Sequence, residues 1–411
     1  MYSFALFLYR QIVRLVSYVK PKAQLWNAGQ SDVWNGLEKA LANNNRPVAW
    51  FHTASLGEFE QGKPVMEAYR AEHPTHFILV TFFSPSGYEV RKNAAGIDYV
   101  SYLPLDGARA SMRFLNLVKP AVAIFVKYEF WYFYLQGLRQ RAIPTILISA
   151  IFRPNQIFFT WYGGFFRSLL KCFTQIFVQD DHSKVLLESI ALSHVQVGGD
   201  TRFDRVVQHL RQPIPWPVLD QFIDNQAFMV LGSVWQADMD VLIPLINSNE
   251  FPFKWVIVPH EIHVDELRKW ASAIQLPTQF STESSQSVAQ VLIVNEVGYL
   301  SQIYRGASFA YIGGAFGAGL HNTLEASVYG PTVFFGNKNY TKFKEARDLV
   351  EFGLAYPIEN TTDLANKMRE IYDAEDVFVN KQVQARTFVS LQAGATQKIM
   401  NYLNEQSHGI K

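Results

Sequence analysis

The stretch PVAWFHTASLGEFEQGKPV, residues 47–65, decides how the chain is read. Its first eight residues (47–54) are strand-like, rich in apolar, aromatic and β-branched side chains. At Ser55-Leu56-Gly57-Glu58 the pattern changes to that of a helix over 58–71. Ser55 and Glu58 have the S-x-x-E spacing of a capping box, in which the two side chains satisfy orphan backbone N–H groups at a helix start. A strand running straight into a capped helix is a β–α unit. Glu58 is then either a cap alone or a carboxylate presented at the end of a strand.

The unit repeats. HFILVTFF (76–83), YVSYLPLD (99–106), PAVAIFV (120–126), IPTILISA (143–150) and QIFVQD (175–180) are short runs bounded by turns or charge, with helical segments between them. Runs that are apolar throughout, rather than alternating, fit strands buried on both faces of a parallel sheet. The pattern breaks at 207–226, VQHLRQPIPWPVLDQFIDNQ, where three prolines fall within five residues and an interdomain linker is expected. It resumes with FMVLGS (228–233), FKWVIVPH (253–260), VAQVLIVN (288–295), FAYIGG (309–314) and PTVFFG (331–336). STESSQS (281–287) reads as a short polar loop. The expectation is α/β: two Rossmann-like, doubly wound parallel-sheet domains, 23–206 and 227–411, with a return of the last helix to the first domain left open. Ligands of such sheets bind beyond the carboxyl ends of the strands, so strand-end motifs carry the chemistry.

Composition narrows the function. With 411 residues, 49% of them hydrophobic, the chain has material for two cores. A formal charge of +1 argues against nucleic acid as a partner. The single cysteine, Cys172, excludes an intramolecular disulfide. Residues 1–22 are apolar but carry Arg10 and Arg14 four apart, with Lys20 and Lys22 beyond. Two mid-segment arginines are costly at a bilayer centre, so an amphipathic helix lying in a membrane interface is favoured over a span. The aromatic run FFTWYGGFFRSLLK (158–171), with Arg153, Arg167 and Lys171 at its margins, is either core or a second surface for acyl chains.

Among strand-end motifs, GGAFGAGLHNTLEASVYG (313–330) is the most informative. Gly313 and Gly314 permit close backbone approach, and a helix beginning near Asn322 offers free N–H groups to a phosphate. Asn322 and Glu325 share one face of the first turn. Their alternative is a plain cap in a tight β–α turn. Neither a P-loop nor G-x-G-x-x-G is present. IVPHEIH (257–263) sets Pro259 and His260 at another strand end, where His260 is a candidate for a nucleotide contact or a solvent-facing residue. His260 and His263 lack the accompanying carboxylate–histidine set of a metal site, so no metal is expected. GGDTRFD (198–204) places Arg202 between two aspartates, either as a surface ion pair or as a cation for a leaving phosphate. FVKYEFWYFY (125–134) puts Glu129 just past a buried strand.

Taken in order, HTASLGEFE, FFSPSGYE, YLPLD, IFVKYEFW, IPTILISA, GDTRFD, LGSVWQADMD, VPHEIH and GGAFGAGLHNTLEASVYGPTVFFG resemble the 3-deoxy-D-manno-octulosonic acid (Kdo) transferases of Gram-negative bacteria over nearly the full chain. The resemblance implies a GT-B fold with the site in an interdomain cleft. It implies CMP-Kdo as donor, a lipid A precursor (lipid IVA) as acceptor, inversion, and a place at the cytoplasmic face of the bacterial inner membrane, peripheral or singly anchored. The family's general base falls on Glu58. Its second acidic residue falls on Glu129, although Lys127 holds the other position that is acidic in many members. Its stabilising Lys falls on Arg202, which keeps the charge and changes the reach. Its CMP contacts fall on Pro259 and His260, on Asn322, Thr323, Leu324 and Glu325 beyond Gly313, and on Val297, Gly298 and Tyr299, where the family's acidic side chain is replaced. The alternatives are a UDP-sugar-dependent GT-B transferase or epimerase, or a non-catalytic sugar- or lipid-binding protein at a membrane surface.

Overall fold

The computed structural model describes residues 2–211, 215–283, 288–317 and 319–408. The chain divides into two compact units, Met1–Arg205 with Ala393–Lys411, and Val206–Gln392. Each is built on its own seven-stranded sheet.

In the first unit the strands are β1 (Val48–Thr53), β2 (Phe77–Phe82), β3 (Tyr99–Tyr102), β4 (Pro120–Val126), β5 (Thr145–Ala150), β6 (Gln175–Val178) and β7 (Val195–Val197), in the order β3-β2-β1-β4-β5-β6-β7. Every pairing is parallel. Side chains alternate across the sheet, so Trp50, Leu79, Phe125 and Leu147 enter one apolar layer. Their neighbours Phe51, Val80, Ile124 and Ile146 enter the other. Burying each such side chain is worth about 1.5–3 kcal/mol before conformational entropy is counted. The first three helices are α1 (Tyr2–Val16), α2 (Pro21–Leu41) and α3 (Leu56–Glu72).

In the second unit the strands are β8 (Phe228–Val234), β9 (Lys254–Pro259), β10 (Thr278–Phe280), β11 (Val291–Ile293), β12 (Phe309–Ile312), β13 (Thr332–Gly336) and β14 (Ala355–Ile358), in the order β10-β11-β9-β8-β12-β13-β14. These are parallel too. Both sheets reverse their strand order at the first strand of the unit, between β1 and β4 and between β8 and β12. That reversal opens a crevice at the carboxyl ends of the two central strands.

The two-unit α/β architecture matches the expectation, and three strands do not appear in the sequence reading. β7, β10 and β14 are three or four residues long and lie at sheet edges, too short to print a period. The stretch 207–226 is also not bare linker. It holds the end of the helix Thr201–Arg211 and a second helix, Pro217–Ile223, with Trp216, Leu219 and Phe222 buried. Proline at a first helical position starts a helix rather than breaking one. Residues 212–214 of this stretch and 284–287 of the polar loop lie outside the described residues.

α1 is docked by its inward face. Tyr2 Oη donates to Asp106 Oδ2 at 2.7 Å, and the Tyr9 ring meets Trp26 edge-on. Its outward face leaves Phe4, Phe7, Leu8, Ile12 and Leu15 exposed. Among the described residues no helix is long and apolar enough to cross a membrane. The aromatic run divides in two. Phe158 is buried and Phe159 and Phe166 pack on the core, whereas Trp161 is 91% exposed and Tyr162 and Phe165 are exposed as well.

The helix Ala395–His408 returns to the first unit, where Ile399, Met400 and Leu403 complete the layer around Phe51 and Phe177. Asp204 fixes its start, accepting from Thr396 N at 2.7 Å and Thr396 Oγ1 at 2.8 Å. Asp204→Ala should therefore cost about 1–2 kcal/mol, read as a lower urea midpoint for the first unit's transition with an unchanged slope. An unaltered midpoint would show that apolar packing alone holds the helix.

Candidate active site

At the order reversal of the first sheet, His52 lies next to the end of β1, Glu58 lies in the first turn of α3, and Glu129 follows β4. The capping box is formed in full. Ser55 N donates to Glu58 Oε2 at 2.9 Å, Ser55 Oγ lies 3.2 Å from the same oxygen, and Glu58 N approaches Ser55 Oγ at 3.5 Å. The cap leaves the carboxylate half-buried rather than consumed. Burial, then the nearby charge of Glu129, pushes the Glu58 carboxyl above its ordinary value; His52 and the Ser55 and Ala54 amides pull the other way.

Glu129 is 8% exposed and is held from two sides. Trp131 Nε1–H donates to its Oε2 at 2.7 Å, and His52 Nε2 lies 3.0 Å from the same atom. His52 is fully buried, with Nδ1 facing the carbonyl and hydroxyl oxygens of Thr81 at 3.1 and 2.8 Å. Of the two positions left open by the sequence, the structure sets Glu129 beside Glu58 and His52; Lys127 is a left-handed residue (φ 70°) in the strand-end turn. His52, Thr81 and Trp131 were missed, and the signal for them is a polar residue inside an otherwise apolar strand, followed by a tryptophan two residues past Glu129.

Arg202 is anchored by Asp200. Its Nε and Nη2 donate to Asp200 Oδ2 at 2.9 and 2.7 Å, and its backbone N to Oδ1 at 3.0 Å. Gln61, one turn beyond Glu58 on α3, donates to the same carboxylate at 3.2 Å. Although burial works against ionisation, the guanidinium and these hydrogen bonds hold the Asp200 carboxyl below the usual carboxylate range. A buried carboxylate thus fixes the direction of the arginine.

In the second unit the strand ends of β8, β9 and β12 bring together Trp235, His260 and His321. His260 stacks on His321 with centroids 4.2 Å apart and meets Trp235 at 4.4 Å with the rings tilted by 31°; Trp235 Nε1 donates to His321 Nε2 at 3.0 Å. Burial and the neighbouring His260 push His321 down to about 4, so it is a neutral acceptor. Asp238 braces the ends of β8 and β12, accepting from Trp235 N, Gly314 N and Tyr311 Oη, each at 2.9 Å. A side chain at Gly313 would put Cβ 2.3 Å from Ser233 O, and Gly314 takes φ +93°, so both glycines are required.

Beyond this loop Asn322 Nδ2 donates to Glu325 Oε1 at 2.9 Å and Asn322 Oδ1 accepts from Leu324 N at 3.1 Å. The helix expected to start near Asn322 is a single turn, Leu324–Ser327, with Thr323 as its buried N-cap. It is cut short by Gly330 (φ +97°) and Pro331, and one turn carries little of a helix dipole. Pro259 closes β9, directly before His260. Val297 is exposed, Gly298 turns with φ +99°, and Tyr299 stacks on Trp216 at 4.7 Å with 12° between planes. His263 pairs with Glu261 at 2.9 Å and lies outside the stack. Among the described residues no group of three or more His, Cys, Asp or Glu is placed to hold a metal ion.

The sequence profile described as "3-Deoxy-D-manno-octulosonic-acid transferase (kdotransferase)" matches residues 31–205. The 3-deoxy-D-manno-octulosonic acid transferase of Aquifex aeolicus is 26% identical over 343 residues, covering 81% of this chain and 88% of that protein. The enzyme of the same name from Chlamydophila psittaci is 24% identical over 338 residues, 79% and 78% of the two chains. Among solved structures, UDP-GlcNAc 2-epimerase from Neisseria meningitidis bound to UDP-GlcNAc superposes with a TM-score of 0.63 at 14% identity, covering 88% of this chain and all of that one. MurG from Acinetobacter baumannii gives 0.54 at 11%, covering 88% and 99%. At such identities the structural likeness speaks for the fold alone.

Because Glu129 is the nearest like charge acting on Glu58, Glu129→Gln should lower the pH at which Glu58 titrates, as followed by carboxyl carbon NMR. Titration at the wild-type pH would mean that burial alone raises it.

Proposed function

We propose, from its similarity to Kdo transferases, that this chain is a Kdo transferase that moves Kdo from CMP-Kdo to a lipid A precursor, lipid IVA, with inversion. The observation that carries this reading is the half-buried Glu58, raised above its usual titration range at the strand-order reversal, with Glu129 held beside it by Trp131 and His52. A base works best when its pKa lies near the working pH, which is the direction in which this carboxyl is moved.

In the proposed step, ionised Glu58 takes the proton of an acceptor hydroxyl as its oxygen attacks the anomeric carbon of Kdo. The bond from that carbon to the phosphate breaks, and CMP leaves with the electron pair. The negative charge of Glu129 faces the cationic character that builds on the sugar. Arg202, aimed by Asp200, is the cation for the departing phosphate. In the second unit the Trp235–His260–His321 stack offers flat rings to a base, and Asn322 with Glu325 offers an amide and a carboxylate to ribose hydroxyls. Gly313 and Gly314 let a phosphate approach the backbone. Backbone at Val297–Gly298 and the ring of Tyr299 complete the set expected for CMP. We propose that no metal takes part.

The setting that supports a lipid acceptor is the exposed apolar face of α1 with Trp161 and Tyr162 in the same unit. We place the protein peripherally at the cytoplasmic face of the bacterial inner membrane, with α1 in the interface.

Full-length protein given CMP-Kdo and tetraacylated lipid A precursor should form the Kdo-bearing lipid, at a rate unchanged by EDTA, and should bind CMP more tightly than UDP. Glu58→Ala should lower kcat by about 100-fold or more without weakening CMP binding. No transfer by the wild type would sink the function, tighter UDP binding would favour a UDP-sugar enzyme, and normal turnover by the variant would remove Glu58 as base.

Replacing Phe4, Phe7 and Leu15 together by serine should abolish co-flotation with phosphatidylglycerol vesicles and leave CMP binding intact. Undiminished flotation would place the membrane contact elsewhere.

A further inference from the structure

Between α1, α2 and the segment after β3 lies a cavity of about 450 Å³ walled by Arg10, Arg14, Trp26, Gln30, Trp34 and Leu105. Its chemistry is specific. Arg10 and Arg14 stand one helical turn apart, a spacing at which like charges repel. Among the described residues neither guanidinium has an ion-pair or hydrogen-bond partner. Trp26 is 4% exposed and its indole N–H has no acceptor. The remaining wall is fixed, since the Gln30 amide donates to Leu103 O at 2.7 Å and accepts from Leu105 N at 2.9 Å. Two paired guanidinium forks, an orphan N–H and flat aromatic walls are the groups that recognise a phosphate borne on a sugar.

The position is specific as well. The Trp26 ring lies 5.8 Å from that of Phe83, and Phe83 lies 4.8 Å from Trp131, whose Nε1 donates to Glu129. One wall of the cavity therefore leads ring by ring to the carboxylate site, and its α1 wall carries the exposed apolar face on its other side.

We propose that this cavity is the phosphate subsite of the acceptor. Arg10 and Arg14 take a phosphate monoester on the sugar headgroup, the acyl chains follow the apolar face of α1, and the headgroup extends past Phe83 toward Glu58. The inference rests on the acceptor being a phosphorylated, acylated disaccharide. It adds that the phosphate is read by residues of the membrane-facing helix itself. Bulk lipid headgroups offer the same phosphate chemistry, but they need only surface charge and have no use for a recess of this volume walled by two indoles.

The test is binding, which needs no turnover. Full-length protein in neutral detergent is titrated with the tetraacylated glucosamine disaccharide bisphosphate and with the same lipid after phosphatase treatment, followed by tryptophan fluorescence. The wild type should prefer the phosphorylated lipid by about tenfold or more. Arg10→Gln/Arg14→Gln should erase that preference with thermal melting and CMP affinity unchanged. Equal affinity of the wild type for both lipids would overturn the proposal, as would a preference that survives the double variant. Phosphatidylglycerol competing as well per phosphate as the acceptor would also overturn it, assigning the arginines to bulk headgroups. Discrimination without Kdo transfer would support the subsite while refuting the proposed reaction; transfer without discrimination would refute the subsite alone.

Discussion

A parallel strand delivers its carboxyl end to one edge of the sheet only, and its chain must leave that edge through a helix packed on one face or the other. Where neighbouring strands send their helices to opposite faces, no connection covers the gap between their ends. Each unit of this protein has such a place beside its first strand, between β1 and β4 and between β8 and β12. His52, Glu58 and Glu129 gather at the first; Trp235, Gly313, Gly314 and His321 gather at the second. The chemistry sits where backbone topology leaves room for it, on strands held rigid by apolar packing on both faces.

The two crevices use burial differently. In the first unit two carboxylates are brought close in a partly desolvated setting, and a buried histidine and an indole N–H absorb part of the strain. One carboxylate is left poised while the other is tied down. In the second unit the same desolvation acts on histidines and keeps one of them uncharged, so that rings, rather than charges, face a ligand. Asp238 is the counterpart of Asp200: each is a buried carboxylate that spends its hydrogen bonds on geometry, one bracing two strand ends, the other aiming a guanidinium.

Most of the sheet was legible because central parallel strands are apolar on both faces and end in recognisable turns. Ser55 and Glu58 announced their cap by spacing alone. The edge strands β7, β10 and β14 left no trace, since three or four residues fit any local pattern. Partners set by tertiary contact were equally silent. Nothing in the local sequence of His52 says that it meets a residue 77 positions away, and Arg202 between two aspartates does not reveal which of them it pairs with. Proline misled at 217, where it opens a helix as readily as it marks a linker. The helix after Asn322 was located correctly, but its length depended on Gly330 and on what packs beneath it.

The return of the last helix has a consequence for how the chain is made. The first unit is interrupted after Arg205 and finished only by the closing residues, Ala393 onward. During synthesis the layer around Phe51, Val65 and Phe177 waits for Ile399 and Met400, while the second unit, uninterrupted in sequence, can assemble as it emerges. Until those residues emerge the nascent first domain presents an unfinished apolar face in the crowded space near the ribosome. A chain truncated near its end loses the lid of its earliest-made core rather than a dispensable tail.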